Sequence, residues 1–144
     1  MAALIEMDLS RLESAVERLD EGLRRYQLDV SDIQIRDGLI QRFEFTYEIS
    51  HKTLKRFLVM ASPSPDIFDD MPFSDLIRTG NEYGLLSGNW EDWKKYRERR
   101  GKSNYTYDEQ IAMDVVQYIP AFLEEVRYLL NKLKSRVGDQ PCQD

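Results

Sequence analysis

Apolar residues recur at intervals of three and four through most of this chain, and that period suits packed helices and little else. Leu9, Leu12, Val16, Leu19, Leu23 and Tyr26 stand 3, 4, 3, 4 and 3 residues apart, which predicts an amphipathic helix from about Asp8 to Tyr26. Ser10 and Glu13 fit a capping box at its start, with Asp8 as the alternative cap. A second helix is expected from about Arg36 to Ser62. There Leu39, Phe43, Tyr47, His51, Leu54 and Leu58 form one strip, and Ile40, Phe45, Ile49 and Phe57 a second. A helix apolar on two sides packs between neighbours, so this one should be central. Pro63 and Pro65 end it, because proline cannot continue a helix.

The last long helix places Ile111, Val115, Tyr118, Phe122, Val126, Leu129 and Leu133 on one face. Thr106 and Glu109 read as its capping box, so it should open at Tyr107, and Pro120 should kink it. Two shorter helices are expected between. One runs from about Asp75 to Leu86 and is capped by Ser74. The other runs from about Trp90 to Arg100, is capped by Asn89 and is ended by Gly101. Residues 66–72 read as an acidic turn. No run alternates with period two.

Short connectors between amphipathic helices favour antiparallel neighbours. The expected fold is therefore all-α: an antiparallel up-and-down four-helix-type bundle with an extra short helix. Residues 1–136 are expected to form one domain, and residues 137–144 a frayed polar tail. The apolar strips exceed what one bundle must hide, so a homodimer is expected to bury the surplus.

Composition narrows the function classes. With 42% hydrophobic and 32% charged residues, the chain reads as a globular protein rather than a disordered one. Its apolar runs are too short to span a bilayer, and the amino-terminal stretch lacks the basic start of a signal peptide. The cytoplasm is the expected compartment, with no membrane contact. One cysteine, Cys142, and one histidine, His51, exclude a disulfide framework and make a Cys/His zinc site within one chain implausible. No metal or cofactor is expected. His51 is expected to be a packed or interface histidine.

The net charge is −6, which disfavours diffuse binding to nucleic acid. Yet Lys94, Lys95, Arg97, Arg99, Arg100 and Lys102 crowd nine positions that hold a single acid, Glu98. Aromatic residues flank them: Trp90, Trp93, Tyr96, Tyr105 and Tyr107. Cations hold phosphates and rings stack on unpaired bases, so the stretch from Trp90 to Glu109 is a candidate nucleotide or RNA site. The competing expectation is a solvated helix face whose tryptophans belong to the core. Gly101, Lys102 and Ser103 echo the end of a phosphate-binding loop but lack its earlier glycine and preceding strand. Asp69 and Asp70 are expected to be an acidic turn rather than a metal site.

The run from Ile40 to Ile49, the segment Lys52 to Leu58, Arg100 to Glu109, Ile119 to Leu123 and Leu12 to Leu19 together resemble the nucleotidyltransferase substrate-binding protein family, over roughly residues 8–134. That family belongs to the HEPN group. The resemblance implies a helical bundle, usually homodimeric, paired with a separately encoded minimal nucleotidyltransferase. Many such pairs resemble toxin–antitoxin modules in which the HEPN member is a metal-independent ribonuclease. The group's pattern is an arginine followed, after four to six residues, by a histidine and then often x-Tyr.

By that pattern Arg100 falls on the arginine and Tyr105 on the histidine, with Arg99 also at a permitted spacing. Tyr107 falls on the tyrosine that some antitoxin transferases modify with AMP. The departure at Tyr105 is chemical: an ordinary phenol titrates near 10 and a histidine near 6.5, so a phenol is a poor base for a ribose hydroxyl. The candidate site is thus Arg100 and Tyr105 as the catalytic pair, with Arg97, Arg99, Lys102 and Asn104 binding substrate. Ribonuclease activity is expected to be weak or lost; an active ribonuclease toxin held in check through AMP on Tyr107 is the alternative.

Overall fold

The computed structural model describes residues 5–138. Its elements are α1 (Ser10–Leu28), α2 (Ile33–Ala61), a 3-10 turn (Pro65–Phe68), α3 (Phe73–Glu82), α4 (Trp90–Lys102) and α5 (Glu109–Arg136). The long contacts fix the directions. Thr46 Oγ1 donates to the Ala15 carbonyl at 3.3 Å, and Arg42 to the Arg18 carbonyl at 2.7 Å, so α2 runs antiparallel to α1. Lys134 pairs with Glu13 and Arg127 with Asp20, so α5 is also antiparallel to α1. Arg99 meets Asp114 while Ser87, just before α4, meets Glu125, so α4 is antiparallel to α5. In chain order α1, α2, α4 and α5 run up, down, up and down, with α3 as the short addition. The expected all-α bundle is the fold.

The core is built from the predicted faces. Leu12, Val16, Leu19 and Leu23 of α1, Leu39, Phe43, Tyr47, Leu54 and Leu58 of α2, and Val115, Phe122, Val126, Leu129 and Leu133 of α5 are all buried. Phe45, assigned to the second strip of α2, is instead 50% exposed. Phe122 centres an aromatic cluster, with ring centroids 5.0 Å from Phe43, 5.2 Å from Tyr96 and 5.9 Å from Trp93. Both tryptophans therefore face inward: Trp93 is buried and Trp90 lies edge-on to Phe73.

Several boundaries differ from the sequence expectation. Ser10 is already inside α1; its N–H is received by Asp8 at 2.9 Å, so Asp8 holds the helix start. α2 begins at Ile33, because the Asp32 carboxylate accepts the Ile35 N–H. Pro65 to Phe68 form a 3-10 turn that buries Phe68, where only an acidic turn was expected. α3 starts at Phe73 behind Pro72, without a side-chain cap from Ser74. It ends before Gly84, whose φ of +74° is the one left-handed residue described.

Asn89 does cap α4, in a reciprocal box with Asp92. α4 then runs through Gly101 to Lys102, so Gly101 does not end it. α5 opens at Glu109 with Asp108 as its cap, accepting from the N–H groups of Gln110 and Ile111, and not with Thr106. It continues through Pro120. Val137, expected in the tail, is buried and bridges Ile5, and the Gly138 N–H donates to the Ile5 carbonyl at 2.8 Å. The rest of the expected tail, Cys142 included, lies outside the described residues. No described helix is long and apolar enough to cross a membrane.

Candidate functional site

The basic run lies on the last two turns of α4, and the helix period points its cations in different directions. Arg99 and Lys102, three apart, reach α5 together: Arg99 Nη2 lies 3.1 Å from Asp114 Oδ1, and Lys102 Nζ 2.7 Å from Asp114 Oδ2. The Arg99 guanidinium also lies over the Tyr118 ring, 3.8 Å from its centroid. Burial pushes the Asp114 carboxyl up, but the hydrogen bonds from Lys102 and Arg99 and the charge of Arg99 outweigh it and leave the carboxyl below its usual range.

Arg100 turns instead to α2. Its Nη1 is 3.6 Å from Glu44 Oε2 and its Nε 3.2 Å from Glu48 Oε2. Ser103 Oγ donates to the same Glu44 oxygen. Arg97 leaves in a third direction, over the Phe73 ring at 5.1 Å. Acids from α2 and α5 thus compensate Arg99, Arg100 and Lys102, a balance the local sequence conceals, while no acid lies within ion-pair distance of Lys94, Lys95 or Arg97 among the described residues.

The loop after α4 carries the remaining candidates. Tyr105 and Tyr107 meet edge to face, with centroids 6.1 Å apart, and are 45% and 85% exposed. No hydrogen bond or ring contact joins Tyr105 to Arg100 among the described residues. Asn104 lines an open groove of about 550 Å³ with Ser103, Thr106 and, from α2, Gln34, Gln41 and Glu44. None of the four candidate cations lines it; Arg100 touches its rim only through Glu44.

The loop is pinned by Arg36, a residue to which the sequence assigned no role. This buried arginine donates to Glu109 Oε1 at 2.6 Å, to Asp37, and to the Thr106 carbonyl at 3.5 Å. Burial pulls its basicity down, and the hydrogen bonds to Glu109 and Asp37 more than reverse that. A cation next to an acid at the start of a helix was the available signal, but its partner lies 73 positions away.

His51 is not simply packed. Its ring lies 5.2 Å from Tyr47 and 5.5 Å, edge-on, from Phe73, and its side chain is 23% exposed. Nε2 is 3.4 Å from Glu48 Oε1. Burial holds the imidazole below the usual histidine value, although the charge and hydrogen bond of Glu48 pull the other way.

Glu48 also borders a recess of about 320 Å³ between α1 and α2, lined by Arg11, Phe45, Lys52 and Arg56. A second recess of about 630 Å³ adjoins it through Arg11 and Phe45, and adds Arg18 and Arg42. Among the described residues no acid lies within ion-pair distance of Arg11, Arg18, Lys52 or Arg56, whereas Arg42 pairs with Glu21. The groove therefore gathers four cations outside ion-pair distance of any acid, although Asp8 and Glu48 border the same recess and the charge of Arg56 acts on the Asp8 carboxyl. No cluster of metal-ligating side chains occurs among the described residues.

Known proteins resemble the chain over most of its length. A family model described as nucleotidyltransferase substrate binding protein like matches residues 7–135. A Haemophilus influenzae protein named probable ribonuclease HepT is 38% identical over 99 residues, 69% of this chain and 67% of that protein. A solved Haemophilus influenzae structure, described as revealing the fold of a substrate binding domain of a nucleotidyltransferase, matches with a TM-score of 0.82 and 31% identity. That match covers 88% of this chain and 99% of the other. A Thermus thermophilus structure matches with a TM-score of 0.65 and 25% identity, over 85% and 98% of the two chains.

Proposed function

The chain belongs to the nucleotidyltransferase substrate-binding-protein-like family, and on that premise we propose that it is the nucleotide- or RNA-binding partner of a separately encoded nucleotidyltransferase. In this reading it works as a homodimer, and ribonucleolysis through Tyr105 is weak or lost. The observation that carries the reading is the joining of a cation-lined groove to the motif arginine. Glu48 pairs with Arg100 and also borders the recess of Arg11, Lys52 and Arg56. Unpaired cations supply phosphate contacts, and the exposed Phe45 ring supplies a surface on which a base can stack. The 45% exposed Tyr105 offers a second ring, but among the described residues no acidic or basic side chain contacts its phenol to activate it.

The test is binding of a labelled single-stranded RNA and of ATP, followed against salt. Wild-type protein should bind at least one of them, and the double substitution Lys52→Ala with Arg56→Ala should weaken that binding about tenfold or more. Failure of the wild-type protein to bind either ligand would refute the reading.

A second reading is favoured by one specific observation. Tyr107 is 85% exposed at the tip of the loop, open to a transferase's active site. In that reading the chain is an active metal-independent ribonuclease, and its nucleotidyltransferase restrains it by placing AMP on Tyr107. Growth arrest on expression without the transferase, relieved by its co-expression, distinguishes the two.

A further inference from the structure

His51 is the chain's only histidine, and the fold hangs it beside the motif arginine. One carboxylate joins them: Glu48 Oε2 lies 3.2 Å from Arg100 Nε, and Glu48 Oε1 lies 3.4 Å from His51 Nε2. Phe73 of α3 closes the corner. It packs edge-on against His51 on one side and lies under the Arg97 guanidinium on the other. An imidazole, a carboxylate and two guanidinium groups thus converge from α2 and α4. Of this set the family pattern marks only Arg100, and the basic run Arg97.

We propose that His51, oriented by Glu48, is the proton acceptor for a ribose 2′-hydroxyl when Arg100 and Arg97 hold the adjoining phosphate of an RNA strand. This rests on the RNA-binding reading above and assigns the basic role to α2 instead of to Tyr105. In the tautomer that carries its proton on Nε2, 3.4 Å from Glu48 Oε1, Nδ1 holds the lone pair that takes a proton. The 2′-oxygen gives that proton to His51 and bonds to phosphorus, and the bond from phosphorus to the 5′-oxygen breaks. The products are a 2′,3′-cyclic phosphate and a 5′-hydroxyl end. The leaving 5′-oxygen takes a proton from water, and the hydroxide so formed removes the proton from His51. No metal or redox partner enters the balance.

The surroundings suit the role. Burial keeps the imidazole neutral, Glu48 opposes that shift, and the charges of Lys52 on the same helix and Arg97 from α4 reinforce it. A base must be unprotonated at working pH, and the lowered basicity of the imidazole favours that state. Arg100 contributes fixed donors for phosphate oxygens. Its present partners, Glu44 at 3.6 Å and Glu48 at 3.2 Å, give way where phosphate oxygens take those donors. The strand has a path outward, because Glu48 also borders the recess of Arg11, Lys52 and Arg56.

The experiment incubates the full chain with single-stranded RNA in chelator, analyses the new ends and measures binding of the same RNA in parallel. Wild-type protein should form 2′,3′-cyclic phosphate ends. His51→Gln should lower the rate roughly 100-fold or more, the usual worth of a general base, while binding changes little. The wild-type rate should rise with pH and level off below the ordinary histidine value near 6.5. Glu48→Gln should shift that midpoint lower still, a readout that does not depend on His51 variants folding. RNA bound but not cut by wild-type protein, or cut equally well by a folded His51→Gln protein, overturns the assignment and leaves the binding reading standing. No RNA binding at all removes both.

Discussion

The buried guanidinium of Arg36, at the start of α2, donates at 2.6 Å to Glu109, the first residue of α5. The same side chain reaches the Thr106 carbonyl, so one arginine fastens both ends of the loop's second half. It is 4% exposed while Glu109 is 68% exposed, so the cation is the member that cannot turn to water. Arg36→Ala should lower stability by about 1–3 kcal/mol, the range for losing hydrogen bonds to a charged group. Urea unfolding gives the total. Amide exchange at residues 104–108 should quicken more than in the centre of α5 if the arginine is the loop's fastening.

Asp114 holds Arg99 and Lys102 at once, and its removal tests whether the basic run is restrained by the protein's own acids. Asp114→Asn should release two cations and tighten RNA binding several-fold, with a steeper salt dependence. It should also alter acid stability in a definite direction. The carboxyl titrates below its ordinary 3.8 in the folded chain, so its contribution is fully present above that pH and is lost as pH falls through the lowered value. The variant's unfolding midpoint should therefore differ from wild type at pH 7, and the difference should shrink at the acid end. Unchanged RNA affinity would mean that the compensated cations take no part in binding.

The bundle was legible because its period is local: the strip of α1 names most of its buried residues, and that of α5 five of its eleven. The site was only half legible. The basic run from Lys94 to Lys102 is evident in sequence, but the pairing of Arg99, Arg100 and Lys102 with acids is not. Glu44, Glu48 and Asp114 sit on other helices and look like ordinary surface acids. The groove of Arg11, Arg18, Lys52 and Arg56 escaped notice because its cations are spread over two helices that only antiparallel packing brings together. The end of α4 is not legible from Gly101, because helical conformation is open to glycine as well as the left-handed one, and the helix runs on to Lys102.

Glu125 shows the opposite, a polar residue that serves the frame. It is buried on α5 and accepts from the Ser87 and Gly88 N–H groups and the Ser87 hydroxyl. It thereby fastens the turn that Asn89 continues into α4. Glu125→Ala should cost about 1–3 kcal/mol, because three part-buried hydrogen bonds to a charged acceptor are lost. Gly88→Ala should act on the same contact, since a Cβ there would stand 2.8 Å from Glu125 Oε1. Thermal unfolding of the two single variants and the double should show losses well short of additive.

Phe122 should be the costliest single truncation in the aromatic core. It is fully buried and meets Phe43, Trp93 and Tyr96 edge to face. Phe122→Ala removes that packing and leaves a cavity, at about 3–5 kcal/mol. Near-ultraviolet circular dichroism should lose much of its tryptophan signal, because Trp93 loses a wall. A loss under 1 kcal/mol would mean that the cluster collapses readily around the gap.

Tyr107 supplies the test of regulation. Its ring is exposed, and its neighbour Tyr105 lies edge-on 6.1 Å away. In the transfer, the Tyr107 hydroxyl oxygen attacks the α-phosphorus of ATP, pyrophosphate departs and the phenolic proton goes to solvent. The loop gains an anionic phosphodiester close after the basic run of α4, which should compete with RNA phosphates for those cations. Incubation with the cognate nucleotidyltransferase and ATP should add the mass of one adenylyl group to the wild-type chain and none to Tyr107→Phe. The modified protein should bind RNA several-fold more weakly, and high salt should narrow the difference because the competition is electrostatic. Modification that persists in Tyr107→Phe but disappears in Tyr105→Phe would move the acceptor to the neighbouring ring. An unchanged mass in the wild-type chain would exclude this mode of control.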